Sequence, residues 1–80
     1  MGKILNNLIE NYPIITIHGT KEIYIENFNL ILSLNETNAK IKAGCEIIEI
    51  TGENIAIEYM NKYDIKLYGN INSLKFTEVS

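Results

Sequence analysis

Eighty residues and 9.1 kDa leave room for one domain, so multi-site enzymes and doubly wound nucleotide folds are excluded by length. Seven Lys, no Arg and ten acidic residues give a formal charge of −3, which argues against a nucleic-acid module: phosphate and guanine are read chiefly by basic stripes rich in Arg. A single cysteine, Cys45, rules out an internal disulfide and a stapled secreted scaffold.

Residues 1–11 carry Ile4, Leu5, Leu8 and Ile9, an apolar stripe at helical spacing that predicts a short docked helix or a tail. The start lacks a signal-peptide pattern, and no apolar run approaches the ~20 residues that span a bilayer, so a cytosolic chain is expected. Pro13 biases Tyr12 away from the helical region and ends that segment. Residues 12–80 are then read as one β domain.

From Ile14 the hydrophobic period changes to two. Sixteen residues are Ile, β-branched and suited to a pleated surface, while only three are Ala and none is Gln, which disfavours a helical fold. Segments 14–18, 22–26, 30–34, 39–43, 46–50, 54–59, 64–68 and 71–76 alternate or run apolar, with turn residues between them. Eight short strands at this spacing predict an all-β fold, a small antiparallel β-sandwich, with a β-solenoid or roll as the alternative. The alternation assigns Ile15, Ile17, Ile23, Ile25, Leu30, Leu32, Leu34, Ala39, Ile41, Ala43, Ile48, Ile50, Ile55, Ile57, Ile65 and Leu67 to the core. Ile14, Tyr24, Ile31, Ile47 and Tyr68 fall on the opposite faces. These surplus apolar residues predict an interface, with a homodimer pairing edges or packing faces.

Little in the chain points to bond-making chemistry. His18 is the sole imidazole and would need Ser33, Ser73 or Cys45 brought beside it for nucleophilic catalysis. A reactive thiol wants a positive neighbourhood, and Cys45 has Glu46 beside it. One His, one Cys and one Asp make no zinc ligand set, and no phosphate loop precedes a helix. Glu22 and Glu26 flank Tyr24 on one strand face, as charged residues on a solvated face commonly do. Gly52 and Gly69 are read as positions of positive φ in hairpin turns or bulges. No catalytic, cofactor or metal site is predicted. If the chain were instead a small enzyme or a ligand-binding β-barrel of unknown substrate, Tyr24, Glu26 and His18 would be the polar groups available to it.

One arrangement is distinctive. Tyr12-Pro13-Ile14-Ile15-Thr16-Ile17-His18-Gly19 leads into Ile23-Tyr24-Ile25-Glu26-Asn27-Phe28, followed by Ile50-Thr51-Gly52-Glu53-Asn54-Ile55-Ala56-Ile57, by Ile65-Lys66-Leu67-Tyr68-Gly69-Asn70-Ile71, and by Phe76 near the close. Over about residues 10–76 this resembles the YabP/YqfC family of bacterial sporulation proteins, most of all its YqfC branch. Ile14 stands where the family tends to have Arg, and Phe28 where it tends to have His. The resemblance implies a non-catalytic β protein made in the mother cell, acting in endospore coat or cortex assembly through protein contacts. It also implies a co-expressed sporulation membrane protein as partner and a location at the forespore surface. The codon-linked excess of Ile, Asn, Lys and Tyr fits a low-G+C Gram-positive source. On this reading Tyr24, Glu26, Asn27 and Phe28 are the expected partner-facing residues, with Ile14, Ile31 and Ile47 as further interface candidates. Asn27 is equally readable as a turn residue.

Overall fold

A computed structural model describes residues 12–78. The helix or tail expected over residues 1–11 lies outside that range. Six antiparallel strands form one sheet: β1 (Ile14–His18), β2 (Glu22–Glu26), β3 (Leu30–Leu34), β4 (Asn38–Ala43), β5 (Glu46–Met60) and β6 (Asp64–Glu78). Their spatial order is β1-β2-β6-β5-β4-β3. Six strands replace the predicted eight because two pairs run together. The segments around 46–50 and 54–59 are both parts of β5, and those around 64–68 and 71–76 are both parts of β6.

The register shows that this sheet folds over on itself. Glu26, at the end of β2, pairs with Asp64, whereas Leu30, at the start of β3, belongs to the row of Lys42, Ile47 and Thr77. On a flat sheet, Asp64 and Thr77 would lie about 43 Å apart along β6. The link Asn27–Asn29 spans at most about 14 Å. The β5–β6 hairpin must therefore double back near its middle. The result is two four-stranded layers: layer A holds β1, β2, the first part of β6 and the last part of β5, and layer B holds β3, β4, the first part of β5 and the last part of β6.

The fold line is built from glycine and from the two flanking hairpin turns. Register shifts interrupt the β5–β6 ladder between Thr51 and Gly52 and between Glu53 and Ala56. At Gly52 a Cβ would collide with the Asn70 carbonyl. At Gly69, with φ 149°, a Cβ would lie 2.8 Å from the Asn54 carbonyl oxygen. Gly69 thus takes the positive φ read from the sequence, while at Gly52 close backbone approach is the constraint. The Gly52 and Ile55 amides donate to the carbonyls of Thr37 and Glu36 in the β3–β4 turn, at 3.0 and 2.8 Å. The Gly69 and Ile71 amides donate to Lys21 and Thr20 in the β1–β2 turn, at 3.0 and 2.8 Å. Both turns thereby satisfy backbone groups that the bend removes from the ladder.

At the opposite end the segment Asn27–Asn29 crosses between layers. Asn27 adopts φ 68°, in the left-handed region that Asn tolerates better than most residues. The Phe28 amide then donates to Tyr63 of layer A at 3.0 Å, and the Asn29 amide to Lys42 of layer B at 2.8 Å. The Asn29 side-chain oxygen accepts from the Gly44 amide at 2.7 Å.

The core lies between the layers. Ile23, Ile25, Ile65 and Leu67 from layer A meet Ala39, Ile41, Ala43, Ile48 and Ile50 from layer B, with Ile55 at the bend. All ten belong to the predicted core. Four other residues of that list, Ile17, Leu30, Leu32 and Leu34, are exposed instead. In β3 it is Ile31, opposite buried Ile41, that packs against the core, while Leu30 and Leu32 are about half exposed. A bulge between Ile31 and Ser33 changes the phase of the alternation, so Leu34 is on the inward side, opposite Ala39, yet it too is exposed. Ile17 faces inward opposite buried Ile23 yet is 50% exposed, because β1 is the end strand of its layer.

Candidate interaction face

The outer face of layer A gathers most of the ionisable and aromatic side chains of that layer. Alternation sends Ile14, Thr16 and His18 of β1, and Glu22, Tyr24 and Glu26 of β2, away from the core. The pairings Glu22↔Tyr68, Tyr24↔Lys66 and Glu26↔Asp64 bring β6 into the same rows, and Ala56↔Tyr68 and Tyr59↔Lys66 add β5. Lys66 therefore sits between Tyr24 and Tyr59. The extra residue of a bulge between Ile57 and Tyr59 is Glu58, which reaches the same ammonium.

The charges form a chain. The His18 Nδ1–H donates to Glu22 Oε1 at 3.2 Å. The Lys66 Nζ lies 3.7 Å from Glu22 Oε2 and 3.6 Å from Glu58 Oε2. The hydrogen bond from His18, aided by Lys66, holds the Glu22 carboxyl below its ordinary range. At Tyr24 the direction is opposite: desolvation, then the nearby Asp64 and Glu26 carboxylates, push the phenol up. Glu26 and Asp64 stand directly across from each other, an unfavourable like-charge pair. With Glu22, Glu26, Glu58 and Asp64 gathered around Lys66, the face is acidic.

Two open grooves share His18 and Glu58. One, about 510 Å³, runs along Lys21, Glu22, Tyr68, Gly69 and Asn70; the other, about 380 Å³, is lined by Tyr24, Tyr59 and Lys66. His18 and Glu22 supply a base and an orienting acid, but the nucleophiles weighed for it are elsewhere. Ser33 is on β3, Ser73 hydrogen-bonds Thr51 in layer B, and Cys45 is exposed in the β4–β5 turn. Among the described residues, no group of three or more His, Cys, Asp or Glu is placed to hold a metal.

The residues expected to face a partner separate in space. Tyr24, Glu26 and Ile14 share the outer face of layer A. Ile47 is partly exposed on the outer face of layer B, opposite Lys42 and Thr77. Ile31 and Phe28 pack against the core. Asn27 forms the interlayer corner, and its side-chain amide donates to the Tyr12 carbonyl at 3.4 Å. Tyr59 joins the face as well, as do Lys66 and Glu58, which the sequence does not single out. Their membership depends on the β5–β6 register, which local alternation does not reveal.

No helix among the described residues is long and apolar enough to cross a membrane. No curated protein matches the chain. The sequence model of the YabP family matches residues 10–80, from just before Tyr12 through the whole folded sheet, and the chain belongs to the YabP family.

Proposed function

We propose that this protein is a non-catalytic sporulation protein that acts in the mother cell, in assembly of the endospore envelope, by holding other polypeptides on the outer face of layer A. Family membership supports the sporulation-related role. The observation that carries the contact role is the composition of that face: Tyr24, Tyr59 and Tyr68 around a carboxylate-rich centre. Tyrosine supplies contact area at low entropic cost and is enriched where partners bind. The excess of carboxylates selects a segment bearing Lys or Arg, whose cations also stack on the tyrosine rings. A co-produced membrane protein has such a segment where its cytoplasmic loops adjoin the bilayer, since Lys and Arg concentrate there.

The test is capture from detergent-solubilised membranes of sporulating cells. Wild-type protein is expected to retain a membrane protein at low salt and release it as salt rises; a chain carrying Tyr24→Ala and Tyr59→Ala is expected to retain none. Equal retention by both chains would contradict this reading.

A further inference from the structure

The two end strands of the sheet, β1 and β3, are the two strands that contain no Lys, Asp or Glu; β2, β4, β5 and β6 each carry at least two. Monomeric sheets commonly protect their ends with charge, with bulges or with proline. In β3 a bulge between Ile31 and Ser33 distorts the edge. In β1, pairing with β2 is regular over all five residues, from Ile14↔Glu26 to His18↔Glu22. Among the described residues β1 has no strand on its other side. It also leaves inward-facing Ile17 half exposed, an apolar side chain on the core face that layer B does not cover.

We infer that β1 pairs antiparallel with β1 of a second copy, about a two-fold axis through Thr16. That register is self-complementary. It sets Ile15 opposite Ile17 of the partner subunit and Ile17 opposite the partner's Ile15, so four isoleucines form a row on the core face. Thr16 meets its own counterpart on the outer face, and Ile14 meets the partner's His18. A chain of net charge −3 approaches its copy with least repulsion where carboxylates are absent, as along β1. Two layers A then join as one eight-stranded layer. The axis is perpendicular to that layer, so both tyrosine-carboxylate faces look the same way. This last consequence rests on the proposed function; the pairing itself does not.

Sedimentation velocity of the full chain over a concentration series tests the pairing. The wild type is expected to show a reversible dimer. Thr16→Lys places two ammonium groups across the axis and is expected to weaken the dimer about tenfold or more. An equal mixture of Thr16→Lys and Thr16→Glu chains is expected to restore it, because Lys then faces Glu. Leu32→Lys on β3 is expected to leave it intact. A wild type that stays monomeric throughout overturns the inference. So does a dimer broken by Leu32→Lys and indifferent to Thr16→Lys. Tyr59→Ala, on the far side of layer A from β1, is expected to keep the dimer while weakening partner capture, so failure of one claim is distinguishable from failure of the other.

Discussion

Glu22 is the residue through which the outer face reports its electrostatics. Its carboxyl is held below the ordinary 4.5 by the His18 hydrogen bond and by Lys66. A carboxylate depressed in the folded state adds stability that is present above its unfolded value and is lost as pH falls through the folded one. Carboxyl titration by NMR is therefore expected to find Glu22 with a midpoint below 4.5, and His18→Ala to move it back upward. A Glu22 midpoint at or above the ordinary value would contradict the geometry of the His18–Glu22–Lys66 chain. Tyr24 has the opposite linkage. Its raised phenol makes the folded state retain the proton, so its contribution falls as pH rises above 10.0 toward the folded value.

Elements show where sequence reading succeeds and where it stops. Period-two alternation located each strand segment and all ten buried hydrophobic residues, because burial on one side of a sheet writes itself directly into local sequence. It failed in β3 for two physical reasons: Leu30-Ile31-Leu32 offers apolar side chains to both faces, and the bulge shifts the phase. It ends strands at Gly52 and Gly69 and leaves hairpin turns or bulges open there; long-range pairing selects the bulge, since β5 and β6 continue through both glycines. The candidate face was half legible. Tyr24 and Glu26 stood out by their place in one strand, whereas Lys66 and Tyr59 become their neighbours only through the β2–β6 and β6–β5 registers. The importance of the bend is open to measurement. Gly52→Ala pushes a methyl into the Asn70 backbone and is expected to cost about 2–3 kcal/mol. Gly19→Ala meets no atom within 4 Å and carries only the cost of its φ of 57°, about 1–2 kcal/mol. Urea unfolding that ranks Gly19→Ala as the more damaging would reject Gly52 as the tight point of the fold line.

At the scale of the whole molecule, a short chain solves the problem of a small core by folding one sheet into two layers. A chain this size buries only roughly 60% of its unfolded surface, so nearly every inward position must be aliphatic. Ile fills most of them. The outward positions of layer A are then free to carry tyrosines and carboxylates, and β1 is free to remain uncharged. Core and face therefore draw on alternate positions of the same strands, and substitutions on the face should spare folding.

The central claim is that the tyrosine-carboxylate face is the working surface of the protein. It is tested most directly by heat-resistant spore yield in cells whose own copy carries Tyr24→Ala and Tyr59→Ala, with accumulation of the variant verified in the mother cell. The expected yield matches that of cells lacking the protein altogether and falls below wild type. Wild-type yield from those cells, where loss of the whole protein lowers it, would contradict the claim.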